Sequence, residues 1–368
     1  MSTNRKIEIV RFAKRNGEGF YDDLKKNIEA YFRDNNIAKN GNTKMVTKSI
    51  AIILMYLIPY GIMVSGVASS SLFIYFGLWF LMGIGMVGIG CSVMHDANHG
   101  SYSKNKFLNA MLGRIATLVG GYHVTWRLQH NILHHTYTNI EGLDDDIEAG
   151  GMLRFSPHAP KHKAYKYQHI YAWILYCFLT LQWATIKDFK QVYDYHKKGL
   201  LRKEKKSLGI TMFQLSLYKL AYYAYIIVLP ILFSGVSWGY VVLGFVLMHF
   251  VAGFLLSAIF QLAHVMEDCE FPLPSGDRKI ENNWAVHQVL NTANFSPKSK
   301  IMSWFIGGLN RQIEHHLFPN ICHIHYVDIA PIVKKTILDH GLPYYEQPNF
   351  ITALTKHGEM LKKLGQDQ

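Results

Sequence analysis

The sequence predicts an all-α, polytopic membrane protein: two transmembrane helical hairpins, four spans in all, under a cytoplasmic helical cap carrying a two-metal site. Three observations lead there. The chain of 368 residues carries 38 Lys and Arg, yet none falls between Lys48 and Lys104 and none between Lys219 and Arg278. Each gap is long enough to cross a bilayer twice, since one helical crossing takes roughly 20 apolar residues at a rise of ~1.5 Å each. Histidines cluster in the segments that flank these gaps.

The elements follow in chain order. Residues 1–48 hold eleven Lys or Arg and open "MSTNRKIEIVRFAKRNGEGF", polar throughout and unlike a signal peptide, so they are expected as a cytoplasmic basic segment. An integral membrane domain follows over 49–325. Its first hairpin spans about 49–67, turns at "ASSS" (Ala68 to Ser71) and returns over 72–94. The second spans about 212–233, turns at "SGVSWG" (Ser234 to Gly239) and returns over 240–262. Neither turn is charged. Apart from Lys219, the other basic residues lie in 1–48, 101–209 and 278–368, and the positive-inside rule puts all three segments in the cytoplasm. A large soluble helical protein is the competing reading, but uncharged runs this long are what lipid-exposed helices require.

A shorter apolar stretch, 170–186, is flanked by His169 and Lys187. It is expected at the interface, because a full crossing would carry the basic run 200–209 outside. That run, within "GLLRKEKKSLG", reads as a solvated linker suited to an anionic membrane surface. Gly83, Gly85, Gly88 and Gly90 point to close helix packing rather than a nucleotide loop. Residues 326–368 form a cytoplasmic C-terminal segment. The four cysteines make no CxxC pair, which excludes a disulfide framework in a reducing compartment. The net charge of +12 flanks spans instead of alternating with aromatics, which argues against a nucleic-acid partner.

The histidines then fall into place. "HDANH" sets His95 and His99 one helical turn apart where the first hairpin leaves the membrane. "HNILHH" supplies His130, His134 and His135; the first two, four apart, share a helical face, with His135 beside them. His264 sits at the end of the last span, and "QIEHH" adds His315 and His316. Eight imidazoles from four segments thus reach one face of the membrane. That exceeds the needs of one metal and suits two, with open positions for a small molecule. Ligand type alone leaves iron, copper, nickel and zinc open. Location narrows the choice. A site at the end of apolar spans reaches a lipid chain, whose unactivated C–H bonds yield to oxygen activated at iron and not to acid–base chemistry.

"HDANH", "HNILHH" and "QIEHH", in this order and with these hairpins, resemble the three histidine boxes of the membrane fatty acid desaturases, and the likeness covers about 49–325. The longer runs "HNILHHTYTNI" and "RQIEHHLFP" are similar to the front-end branch, which places a double bond between an existing one and the carboxyl end. The resemblance implies two iron ions held by His95, His99, His130, His134, His135, His264, His315 and His316. It also implies O2 as co-substrate, and a cis double bond introduced at a delta-5 or delta-6 type position of a lipid- or CoA-linked acyl chain. Many front-end relatives carry a fused cytochrome b5 domain with His-Pro-Gly-Gly. This sequence has no such motif, so electrons are expected from a separate ferredoxin or cytochrome b5-type donor, at the cytoplasmic face of what resembles a bacterial inner-membrane enzyme. Gln312 opens the third box where other branches have histidine and is taken as a catalytic candidate, hydrogen-bonding near the metals without ligating them.

Other residues carry two readings each. His287 is either a ninth ligand or a packing residue, and His249, in mid-span, is either functional or a hydrogen-bonded packing group. Asp145 or Asp146, and within the boxes Asp96 and Glu314, are candidates to orient ligating imidazoles. Trp126 either packs at the interface or lines an acyl tunnel. A lipid hydroxylase or acetylenase with the same site is the alternative function. A metal transporter is more distant, since its coordinating groups belong near the bilayer midplane and only His249 lies there.

Overall fold

The computed structural model describes residues 10–13 and 17–366. Four helices are long and apolar enough to cross a membrane: Thr43–Val64, Leu72–His99, Leu208–Phe233 and Trp238–His264. All four begin or end beyond the apolar runs. The first starts at Thr43 rather than near Ser49, because Asn42 accepts a hydrogen bond from the Lys44 amide (3.0 Å) and caps the helix within the basic segment. The second continues past Met94 to His99, so the first two histidines ride on a span's own last turn. A charge gap marks where lipid lies, not where hydrogen bonding stops.

The second and fourth spans form the core of the bundle, more buried than the first and third. Without a hydrophobic drive inside lipid, such contacts rest on close packing. A β-carbon at Gly83 would stand 2.8 Å from the Met248 carbonyl oxygen of the fourth span, and one at Gly85 2.9 Å from the Tyr56 amide of the first. His249, fully buried on the fourth span, lies 2.8 Å from the Tyr222 hydroxyl and 3.1 Å from that of Thr180. Those bonds give it the packing role.

The polar ends of the spans face a helical cap. Helix Phe20–Asp34 lays Phe20, Leu24, Ile28 and Phe32, four apart, on Ile329, Val333 and Ile337 of helix Tyr326–Asp339. Each such side chain, moved out of water, contributes about 1.5–3 kcal/mol. The stretch expected at the interface forms helices Gln168–Cys177 and Leu179–Gln182, which pack along the fourth span and are not among the four long apolar helices. The basic linker is anchored: Leu200 and Leu201 are buried, and Glu204 holds Arg127 through both carboxylate oxygens. Two parallel bridges, Arg11–Phe12 with Lys279–Ile280 and Asn294–Phe295 with Glu346–Gln347, tie distant cap segments together. At two residues each, they leave no alternating pattern in the sequence.

Candidate metal centre

The second span switches to π-helical turns over Ile89–Met94 before His95, and the helix beginning at His123–Arg127 does so over Leu128–His134. A π turn widens the register to five residues. Hence His130 and His135, five apart, meet at Nε2 to Nε2 (3.2 Å), while His134 also joins His264 and His316. The expected shared face of His130 and His134 holds as well: their rings stack at 5.4 Å, and their ligating atoms lie with that of Asp146 within 4.8 Å of one another. The third box arrives through Gly307 and Gly308, both at positive φ (65° and 66°), a conformation glycine adopts without strain. That turn packs against Cys91 of the second span and delivers helix Gln312–Leu317. Consecutive residues on a helix diverge by about 100°, and so His315 and His316 serve different groups.

All eight box and span histidines come together. The ligating atoms of His95, His99, His130 and His315 lie within 4.8 Å of one another, as do those of His134, His264 and His316. His135 stands between the groups, its Nε2 2.9 Å from that of His315 and its ring stacked on His316 at 4.4 Å. His95 Nε2 is 3.2 Å from His130 Nε2. Nitrogens sharing one metal at ~2.1 Å stand roughly 3.0–3.4 Å apart in octahedral or tetrahedral geometry. The spacing therefore fits metal binding.

The outward nitrogens bear this out. His134 Nδ1 donates to Asp144 (3.1 Å to each oxygen), His264 Nδ1 to the Asn291 carbonyl (3.1 Å) and His316 Nδ1 to Gln288 Oε1 (2.9 Å). His315 Nδ1 lies 3.3 Å from the Tyr326 hydroxyl. Each bond leaves Nε2 facing inward, and those of His99, His264 and His316 have no partner among the described residues. Burial, reinforced by neighbouring imidazoles, pushes His130, His135, His315 and His316 well below the ordinary histidine range, so they are neutral donors. His134 differs. Burial lowers it, but the Asp144 and Asp146 carboxylates outweigh burial and raise it to about 9.

The candidate orienting groups divide. Asp146 Oδ2 comes within 3.4 Å of His134 Nδ1, but the closer partner is Asp144, which is not among the candidates, whereas Asp145 turns to Tyr195 and Lys198. Asp96 Oδ1 is 3.5 Å from His95 Nδ1. Glu314 faces away, accepting from the Tyr344 hydroxyl (2.7 Å) and Asn294 (2.9 Å), and so pins the third-box helix instead of orienting a histidine. His287 belongs to neither group; it lies 2.9 Å from Asn291 Nδ2 and packs on Phe12. Gln312 is buried one turn before His315 and His316. Gln288, Asn291, Tyr326 and His323 escape sequence reading, since nothing local marks a residue that meets the site only through the fold.

A cavity of about 580 Å³ opens beside the histidines, within the ~300–1,000 Å³ of small-molecule sites. Trp126, against His130 at 4.5 Å, lines it along with Gln129, Phe260 and His130 itself. A second, apolar cavity shares Trp126, Gln129, Trp183 and Gln191 with the first and continues between the second and fourth spans to Met86, Gly90 and Leu256. Trp126 thus lines both cavities and also packs against Met94 and Ala116.

Fold and site together define a class: a polytopic helical membrane protein with a buried, all-histidine centre beside an apolar channel. The fatty acid desaturase family matches residues 70–348, and the chain belongs to that family of oxidoreductases. It is 36% identical to an acyl-lipid (8-3)-desaturase of Physcomitrium patens, over 98% of this chain and 74% of that protein. It is 33% identical to the sn-1 linoleoyl-lipid 6-desaturase of Synechocystis (97% and 98% covered) and 34% identical to that of Arthrospira platensis (94% and 92%).

Proposed function

We propose that this protein is a front-end desaturase that introduces a cis double bond, of the delta-5 or delta-6 type, into an acyl chain carried on a membrane lipid. The observation that carries the reading is the eight-histidine centre opening onto a channel that runs from a charged mouth to an apolar end between the spans. The histidines hold two iron ions, which with O2 and two electrons supply the oxidising power for C–H cleavage. The balance is one –CH2–CH2– unit, O2, two electrons and two protons giving –CH=CH– and two waters. This chain's residues seat the alkyl chain past Trp126 and Trp183, exclude water from it and hold His130, His135, His315 and His316 neutral. Lipid linkage is favoured over the CoA ester by the mouth, where Lys187, Lys190 and Lys198 face Asp145, Asp146, Glu148 and Asp194. A rim whose carboxylates outnumber its lysines offers little to a polyphosphate.

Electrons come from a separate ferredoxin or cytochrome b5-type protein at the cytoplasmic face. Lys161, Lys163, Lys166, Lys298 and Lys300 are exposed there and suit an acidic donor. Expression with a donor in membranes of defined acyl composition, followed by mass spectrometry of the lipids, tests the reading. A new double bond on the carboxyl side of an existing one is expected, absent with His134→Ala although that variant stays in the membrane. A hydroxylated or acetylenic product would overturn the desaturase assignment. Charge reversal at Lys161, Lys163 and Lys166 raises the apparent KM for donor and blunts its salt dependence; unchanged donor kinetics reject that surface.

A further inference from the structure

Two residues outside every histidine box reach the metal centre through Asp96. The Asp96 carboxylate is buried, and its Oδ2 accepts from the His323 backbone amide (3.1 Å) and from His323 Nδ1 (2.8 Å). On the far side of the same ring, His323 Nε2 lies 2.7 Å from Lys48 Nζ. Lys48 is 5% exposed, at the polar end of the first span, with its ammonium 5.7 Å from the centre of the Trp304 ring. A lysine ammonium only donates, so Lys48 gives its proton to Nε2 and the His323 ring proton must sit on Nδ1. That orientation directs the proton onto Asp96 Oδ2. Oδ1 remains for His95 Nδ1, 3.5 Å away, and His95 Nε2 is left facing its partner His130. Asp96, His323 and Cys322 alone would look like a cation site. The lysine already supplies the cation.

We propose that Lys48 and His323 are positioning residues which, through Asp96, fix the tautomer and basicity of His95 and so tune the metal it holds. The proposal rests on the two-metal reading above. Both side-chain hydrogen bonds in the row from Lys48 to Asp96 point toward the carboxylate, and removing the first donor frees the His323 ring to take its other tautomer. Asp96 then loses one of the bonds that fix its orientation toward His95.

The test compares purified wild-type protein with Lys48→Met, Lys48→Arg and His323→Asn, the last keeping a short amide donor toward Asp96. Three readouts are taken: bound metal per chain with its affinity by Co(II) competition, the reduction potential of the iron-loaded centre, and kcat against KM for acyl lipid. Lys48→Met is expected to lose about 10-fold or more in metal affinity or kcat, in keeping with the ~10–100-fold typical of outer-shell partners. Its potential shifts, and its KM stays put. Lys48→Arg and His323→Asn recover most of the loss. Unchanged affinity, potential and kcat in Lys48→Met overturn the proposal, as does equal loss in Lys48→Met and Lys48→Arg, which would mark a packing role. If Lys48→Met fails to accumulate, His323→Asn against His323→Leu carries the same comparison, with equal losses again overturning it. A wild-type protein that binds metal without desaturating acyl chains defeats the functional reading alone, because the Co(II) affinities still report on the row.

Discussion

Lys219 is the only cation within the third span, and replacing it with methionine isolates a charge beside the channel. Its Nζ has three protons and uses all of them: on Asp188 Oδ2 (2.6 Å), on the Gly120 carbonyl (2.7 Å) and on the Trp183 carbonyl. Asp188 is 2% exposed, its other oxygen takes a bond from Thr125 (2.6 Å), and it lines the apolar cavity. Methionine keeps the volume but leaves that carboxylate without its counter-charge, a loss of ~3–5 kcal/mol for a broken buried pair. Asp188→Leu should cost a similar amount by stranding the ammonium. The double variant buries no net charge. It forfeits only the bonds to two carbonyls and Thr125, so it should cost ~2–4 kcal/mol rather than the ~6–10 of independent effects. Equilibrium unfolding in mixed micelles, titrated with a denaturing detergent, measures all three. Single-variant losses below about 1 kcal/mol, or a double variant equal to the two singles together, would refute the argument that burial makes this pair interdependent.

Two other outcomes concern the histidine centre. His134 is raised to about 9 in the metal-free protein, so below that pH it is an imidazolium and an incoming metal must displace its proton. Metal affinity should therefore climb with pH until about 9, with this group releasing one proton; in the double variant with both Asp144→Asn and Asp146→Asn burial prevails, the proton is already absent at pH 7 and the release falls by one. Proton release measured during metal titration checks this, and equal release from both proteins contradicts it. At Gln312, buried one turn from His315 and His316, Gln312→Glu should impair turnover more than Gln312→His. The carboxylate is an uncompensated charge there, whereas imidazole restores a neutral nitrogen; single-turnover kinetics with matched iron content rank the two.

Reading the chain alone locates the four spans and the eight histidines, because both signals are local. A charge-free run declares itself wherever it occurs, and box spacing places pairs such as His95 and His99 one turn apart on their own helix. The all-helical class follows from the same signal, since an isolated lipid-facing segment satisfies its backbone only as a helix. How the histidines divide is a different matter. The π turns at Ile89–Met94 and Leu128–His134 shift the register without any residue that announces them, and they bring His135 against His130 while His134 reaches His264 and His316.

Orientation of the imidazoles likewise depends on partners brought from afar. Asp144 rather than Asp145 holds His134 because the loop folds back so that Asp144 also accepts from the Asn139 amide (2.9 Å). Glu314 immediately precedes His315 and His316 in sequence, yet Tyr344 and Asn294 draw its carboxylate away. Lys48 and His323 are separated by most of the chain and meet only where the first span's end packs beneath the third-box turn. Patterns of charge and spacing are properties of a segment and survive being read in isolation. A hydrogen-bond partner is a property of position, and position is settled only when the spans pack and the cap closes over them.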